Sequence, residues 1–304
     1  MSRWTNDLIV DLTGKRIIIT GATHGIGFAA AEALAVKGAD LVMAVRNTDV
    51  GEKAAGKIRE KSPAASVTVM HLDLTHLDVV KQFAAGYAER FDRLDVLINN
   101  AGVMVPPHSI TRSGVELQFG TNHLGHFALT AHLLPLLMAT PLSRVVSTSS
   151  IAARRAKIHF DNLDGRNGYN PMTFYRQSKL ANLLFAMDLQ HRLERAGSST
   201  ISVACHPGIT VTNLLSRGSG KETGRIMKTL MRIVAQPASM GSLPTLYAAT
   251  HPDLRGGEYI GPDGPGNTKG YPILTDDPAR LYKPELAARL WEVSEELTGV
   301  RYII

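Results

Sequence analysis

Arg16-Ile17-Ile18-Ile19-Thr20-Gly21-Ala22-Thr23-His24-Gly25-Ile26-Gly27 leads an apolar run into three glycines and then into a helical pattern from Ile26 to Lys37. An apolar run closed by glycine reads as a buried strand, and apolar residues at helical spacing read as the helix packed against it. Glycines at 21, 25 and 27 leave no side chain where the backbone must turn tightly, approach a pyrophosphate and pack helix against strand. The helix start adds free N–H groups and the positive end of a dipole, so the turn suits an anionic nucleotide. Its Gly-xxx-Gly-x-Gly spacing departs from the Gly-x-Gly-xx-Gly dinucleotide fingerprint, so the assignment has to be carried by the rest of the chain.

Outward from this turn, apolar runs at 40–45, 66–71, 96–99, 144–148 and 200–206 alternate with helical patterns such as 78–91. That alternation predicts a doubly wound α/β protein, its parallel sheet covered by helices on both faces. A chain of 304 residues, 44% hydrophobic, can bury a large core and reads as a single domain over 1–304. Gly-rich stretches at 216–224 and 261–270 read as loops, and 154–169 and 214–237 as loops near the substrate.

The formal charge of +6 is scattered, with Arg154-Arg155 only a pair, so it reads as solvated surface and no nucleic-acid partner is expected. One cysteine, Cys205, excludes an internal disulfide and a zinc site of clustered thiolates; no metal is expected. A reducing, cytoplasmic setting fits that count. Met1 to Gly14 lacks the apolar region of a signal peptide, and no stretch reaches the roughly 18 apolar residues of a membrane span.

In an open α/β sheet ligands bind beyond the carboxyl ends of the strands, so the residues just after each run form the candidate site. They are the glycine turn, Arg46-Asn47, Asp73-Leu74, Asn99-Asn100-Ala101-Gly102, Ser149-Ser150 and His206-Pro207-Gly208. Tyr175 and Lys179 lie four apart in a helical pattern over 174–193, so both project from one face. Hydride transfer at a carbonyl must be matched by proton transfer to its oxygen, and a phenol with a pKa near about 10 is a poor acid–base group at neutral pH. The expectation is that the Lys179 ammonium lowers the Tyr175 phenol while a serine hydroxyl holds the substrate oxygen.

Taken together these motifs resemble the classical short-chain dehydrogenase/reductase family over nearly the whole chain. Thr20 to Gly27 is similar to its Thr-Gly-xxx-Gly-Ile-Gly turn, Asn99 to Gly102 to its Asn-Asn-Ala-Gly element, and Tyr175 to Lys179 to its Tyr-xxx-Lys. Pro207-Gly208 with Thr212 resembles its Pro-Gly-xxx-Thr segment, which implies a place for Thr212 near a nicotinamide carboxamide. The resemblance implies a seven-stranded sheet, closed by 258–261, with Ser150 orienting the carbonyl and Ser149 as the fallback. It implies Tyr175 as acid–base residue, Lys179 as its partner, and Asn122 as support for a water-linked proton path.

The candidate cofactor-binding set is therefore Gly21, Thr23, His24, Gly25, Ile26, Gly27, Arg46, Asn47, Asp73, Leu74, Asn100, Ala101, Gly102, Tyr175, Lys179, Pro207, Gly208 and Thr212. NAD selection usually places a carboxylate at the end of the second strand; here Val45 is followed by Arg46, which favours NADP(H), with NAD(H) possible. Asn122-His123-Leu124-Gly125-His126-Phe127, Ser178 to Asn182 and Cys205 to Gly208 resemble the retinol-dehydrogenase-like branch. The membrane anchor of membrane-bound retinol enzymes is not seen in this sequence, which favours a general apolar ketone, aldehyde or secondary alcohol over a retinoid.

A protochlorophyllide-reductase-like reading expects cysteine directly after Pro-Gly, where this chain has Ile209. A non-catalytic dinucleotide sensor is the alternative from another class, and it has no need of an acid–base tyrosine. His123, His126 and His206 have no Asp, Glu or Cys cluster beside them and read as structural. Met227 and Met231 mark an apolar stripe that reads equally as lid or core. Leu180, Leu183, Leu184 and Met187 read as core or as the face of a homo-oligomer.

Overall fold

The computed structural model describes residues 3–210 and 235–304; Thr212, the Met227–Met231 stripe and most of the 214–237 loop lie outside them. Among the described residues eight strands form one sheet: β1 (Arg16–Thr20), β2 (Asp40–Val45), β3 (Val67–His71), β4 (Val96–Asn99), β5 (Arg144–Thr148), β6 (Ile201–Cys205), β7 (Tyr259–Pro262) and β8 (Pro272–Leu274). Their order is β3-β2-β1-β4-β5-β6-β7-β8. The first seven run parallel and agree with the expected seven-stranded sheet, while β8 adds an antiparallel edge.

Alternation along β1 divides the core. Ile17 and Ile19 point into one apolar layer with Leu34 of α1 (Gly25–Val36) and Ile58 of α2 (Thr48–Lys61). Ile18 points into the other, with Phe83 of α3 (Leu77–Ala88) and Leu133 further along the chain. The three isoleucines are fully buried, and each such side chain contributes about 1.5–3 kcal/mol. Because strand order reverses beside β1, the exits of β1 and β4 open onto a crevice at the carboxyl edge.

After a short helix α4 (Leu117–Phe119) the chain makes a π turn at Gly120–Leu124 before entering α5 (Gly125–Ala139). A 25-residue helix, α6 (Pro171–Arg195), follows β5 and is capped by Asn170, whose side chain accepts from the Thr173 N–H. Leu180, Leu183 and Leu184 on α6 are buried within the chain's own core. The 154–169 segment is also tied down: Ile158, Phe160 and Leu163 pack on the layer holding Leu180 and Leu184. Tyr169 donates its hydroxyl hydrogen to the Pro106 carbonyl at 2.8 Å, and the same oxygen lies 3.2 Å from Glu116 Oε1.

The three histidines read as structural are buried. Burial pulls His123 down to about 3, His126 to about 4 and His206 to about 3. Unfolded imidazoles titrate near about 6.5, so below that pH the unfolded chain binds protons that the folded chain refuses. Stability is therefore full above pH about 6.5 and falls as acid approaches the folded values. An acid titration followed by circular dichroism is expected to show stability declining between pH about 6.5 and 4 with a slope of up to about four protons, because burial also holds His132 below its ordinary value. A flat profile across that range would contradict the neutral buried imidazoles.

Candidate active site

The glycine turn is a close-packed cradle. Gly21 has φ +68°, and a Cβ there would sit 2.9 Å from Ala101 Cα; a Cβ on Gly27 would sit 2.5 Å from Asn100 Nδ2 and 2.6 Å from the Gly21 carbonyl. Asn100 ties the two strand exits together by donating from Nδ2 to the Thr20 carbonyl at 2.8 Å. His24, at the N-cap position of α1, makes no side-chain cap bond to that helix and pairs its ring with Thr23 Oγ1 at 2.8 Å. The turn thus presents backbone to a cleft of about 390 Å³, which also takes in Gly102, Ser150, Tyr175, Lys179, Pro207 and Gly208. A dinucleotide fits the donor set and shape: glycine backbone at a helix start, and small residues where any Cβ would fill the space.

At the other end of the cleft the two serines separate in role. Ser149 is buried and its hydroxyl donates to the Lys179 carbonyl at 2.6 Å, which fixes it inside the fold. Ser150 starts the 3-10 turn Ile151–Arg155, accepts from the Ala152 N–H at 3.1 Å, and hydrogen-bonds the Tyr175 phenol. One turn of α6 separates Tyr175 from Lys179, whose Nζ lies 5.9 Å from the Tyr175 ring centroid and donates to the Thr148 carbonyl at 3.0 Å. Asn122 stands behind this group, outside the cleft lining. Its Nδ2 donates to Ser178 Oγ at 2.9 Å and to the Val103 carbonyl at 3.0 Å, and its Oδ1 accepts from the Val103 N–H at 2.8 Å.

The short chain dehydrogenase family model matches residues 15–222. The chain is a short-chain dehydrogenase. It is 38% identical to human retinol dehydrogenase 13 over 296 residues, covering 95% of this chain and 86% of that protein. It is 41% identical to mouse retinol dehydrogenase 11 over 240 residues, covering 79% and 74%. A crystal structure of an uncharacterized protein from Mycobacterium paratuberculosis matches over 100% of both chains at 38% identity, with a TM-score of 0.82. This short-chain dehydrogenase is accordingly an oxidoreductase acting on CH–OH and C=O groups, of the retinol-dehydrogenase-like kind.

The electrostatics of the site differ from expectation at one point. The Tyr175 phenol lies above its ordinary value, because burial pushes it up and the Ser150 hydrogen bond offsets only part of that. The expected lowering by Lys179 is not found: burial brings the Lys179 ammonium itself down, to about 8. In the protein alone, a closely packed, dry site outweighs a neighbouring charge about 6 Å from the ring.

Residues predicted at the second and third strand ends lie apart from the cleft lining. Arg46 is exposed directly after β2, and its charge acts on Asp73. Asp73 feels burial, which raises it, but bonds from the Thr75 N–H and hydroxyl, joined by His76 and Arg46, hold it below the ordinary carboxylate value. Asn47 caps α2 by accepting from the Val50 N–H at 3.0 Å. Leu74 is buried with its carbonyl against Gly125. Among the described residues no three His, Cys, Asp or Glu side chains gather as a metal site, and no helix is long and apolar enough to cross a membrane.

Arg154 corrects the reading of the arginine pair as solvated surface. Its guanidinium grips both Asp277 oxygens at 2.8–3.0 Å, Asn267 Oδ1 at 2.6 Å and the Gly266 carbonyl at 2.9 Å. This ties the turn after Ser150 to the segment whose Thr268 carbonyl accepts from the Ile209 N–H at 2.7 Å. Gln236 completes the brace, donating to the Pro207 carbonyl at 2.9 Å and accepting from the Gly270 N–H at 2.9 Å. Neither partner was legible beforehand, since Asp277 and Gln236 lie in no motif.

Proposed function

We propose that this short-chain dehydrogenase is an NADP(H)-dependent carbonyl reductase or alcohol dehydrogenase that acts on an apolar ketone, aldehyde or secondary alcohol. The observation carrying this reading is the meeting of Ser150, Tyr175 and Lys179 in one cleft with the glycine cradle, walled by Met104, Ile151, Met172 and Ile209. Bound nicotinamide dinucleotide supplies the hydride. Tyr175, held protonated by its burial, delivers the proton to the carbonyl oxygen, while Ser150 holds that oxygen as charge develops. Lys179 holds a ribose hydroxyl and stabilises the phenolate left behind. Arg46, exposed at the β2 end with no carboxylate beside it in sequence, pairs with a 2′-phosphate. The names of the relatives make retinoids one member of the substrate panel.

Fluorescence titration with NADPH and NADH, for wild type and Arg46→Ala, tests the reading, followed by oxidation with apolar ketones, aldehydes and retinal. NADPH is expected to bind tighter than NADH, and Arg46→Ala to weaken NADPH by about tenfold, the scale of one charge-assisted contact. Equal affinities in wild type would remove the NADP preference; binding without turnover on any carbonyl would favour a dinucleotide sensor.

The reductive rate should also carry the Lys179 titration. Since Lys179 loses its proton near about 8 in the free protein, kcat/KM for NADPH is expected to be level below that pH and to fall above it. A rate that climbs through pH 8 to 10, about two units further, would assign the limb to another group.

A further inference from the structure

His126, on the second residue of α5, is 2% exposed and outside the cleft, yet both of its ring nitrogens are engaged by groups that border the site. Its Nδ1 lies 2.9 Å from the Asn122 carbonyl and its Nε2 2.9 Å from Thr20 Oγ1. A carbonyl only accepts, so Nδ1 carries the proton. The other end agrees independently. Thr20 Oγ1 already accepts from the Asn100 and Ala101 N–H groups, each at 2.9 Å, which fills its two lone pairs. Its single hydrogen must then be donated, and Nε2 at 2.9 Å is a better acceptor than the Ile98 carbonyl at 3.4 Å. The ring is therefore neutral, in a single tautomer, and aligned in a chain that runs from the end of β1 to the π turn.

The far end of that chain is a place where an ordinary helix has been interrupted. In a π turn the N–H groups reach back five residues in place of four, as Gly125 does to Gly120, which shifts the carbonyl pairing of the turn. The His126 side chain meets the Asn122 carbonyl there, four residues back. The same Asn122 uses its side chain to join Val103, next to Gly102 at the cleft, to Ser178, next to Lys179. Gly102 lies close enough that an added Cβ would stand 3.1 Å from Asn122 Oδ1 and 3.6 Å from Lys179 Nζ.

We infer that His126 is a positioning residue for proton transfer: its Nδ1–H holds the π turn in register, so that Asn122 can keep Lys179 in place opposite the glycine cradle. This rests on the reductase reading of the site. The imidazole reaches no substrate and exchanges no proton. Its part is to connect the β1 and β4 exits with the lysine-bearing helix through one oriented ring.

Two near-isosteric variants separate the two ends of the ring. H126N keeps an N–H near the Nδ1 position and loses the Thr20 acceptor, whereas H126Q keeps an acceptor near Nε2 and loses the donor to Asn122. H126Q is expected to lower kcat about tenfold, the scale of a small misplacement of a catalytic group, with the NADPH Kd within about twofold of wild type. H126N is expected to stay within about threefold of wild type in kcat. Equal kcat for the two variants, both folded by thermal melting, would overturn the inference.

Long-range proton–nitrogen correlation spectra of the wild-type imidazole give a second measurement that needs no variant to fold. A proton on Nδ1 at neutral pH is expected, and a proton on Nε2 would overturn the inference whatever the kinetics. If wild type turned over no carbonyl with either cofactor while the tautomer was as stated, the function reading would be the one at fault.

Discussion

Tyr175→Phe is expected to lower carbonyl reduction by two to four orders of magnitude, about the range that a positioned acid–base group contributes. The substitution removes one oxygen from a side chain that is only 8% exposed, so the ring keeps its seat on α6. What is lost is the proton donor and the hydrogen bond with Ser150. The glycine cradle and Lys179 remain, so NADPH should bind within about twofold of wild type, because a group acting only in the transition state leaves ground-state binding unchanged. Steady-state turnover and fluorescence titration on the same preparation check both halves. Turnover within about tenfold of wild type would mean that another group delivers the proton.

The second large effect is expected at Gly27→Val. The added Cβ alone would stand 2.5 Å from Asn100 Nδ2 and 2.6 Å from the Gly21 carbonyl, before the two methyl groups are counted. Asn100 cannot yield without breaking its 2.8 Å bond to the Thr20 carbonyl, which joins the exits of β1 and β4. Overpacking of this kind destabilises by about 1–3 kcal/mol, and if that strain is relieved by opening the turn, NADPH affinity falls by about 10- to 100-fold. Differential scanning fluorimetry with and without NADPH separates the two: a variant that melts near the wild-type temperature and binds normally would show that the turn accommodates a side chain.

Much of the fold is legible because its strands are buried on both faces. Runs such as Ile17-Ile18-Ile19 and Val96-Leu97-Ile98 have no polar alternation to confuse them, and strand ends follow where polar residues begin. The eighth strand has only the short run Tyr271-Pro272-Ile273-Leu274, whose proline argues against a central strand. Ile273 and Leu274 are exposed, and the strand is defined by pairing with β7, which is a tertiary fact.

The candidate site follows the same division. Motif residues that touch the cleft through backbone or a short spacing, the glycine turn and the Tyr175–Lys179 pair, can be read in one dimension. The phenol's upward shift cannot, because it depends on how much water the folded chain excludes. Arg154 was read from its arginine neighbour, whereas its partner Asp277 stands 123 residues away. His126 could have been found only from its two partners, Thr20 and Asn122, which no local pattern joins.

The short antiparallel β8 gives the sheet an end as well as an edge. A parallel sheet that stopped at β7 would present Tyr259–Pro262 as an open ladder of N–H and C=O groups, a template for another chain to extend. Only three residues of β8 cover that ladder, and the first of them, Pro272, has no N–H to offer a further strand. The same feature therefore acts against edge-to-edge pairing of chains: a strand this short and led by proline leaves little backbone for a further strand to join.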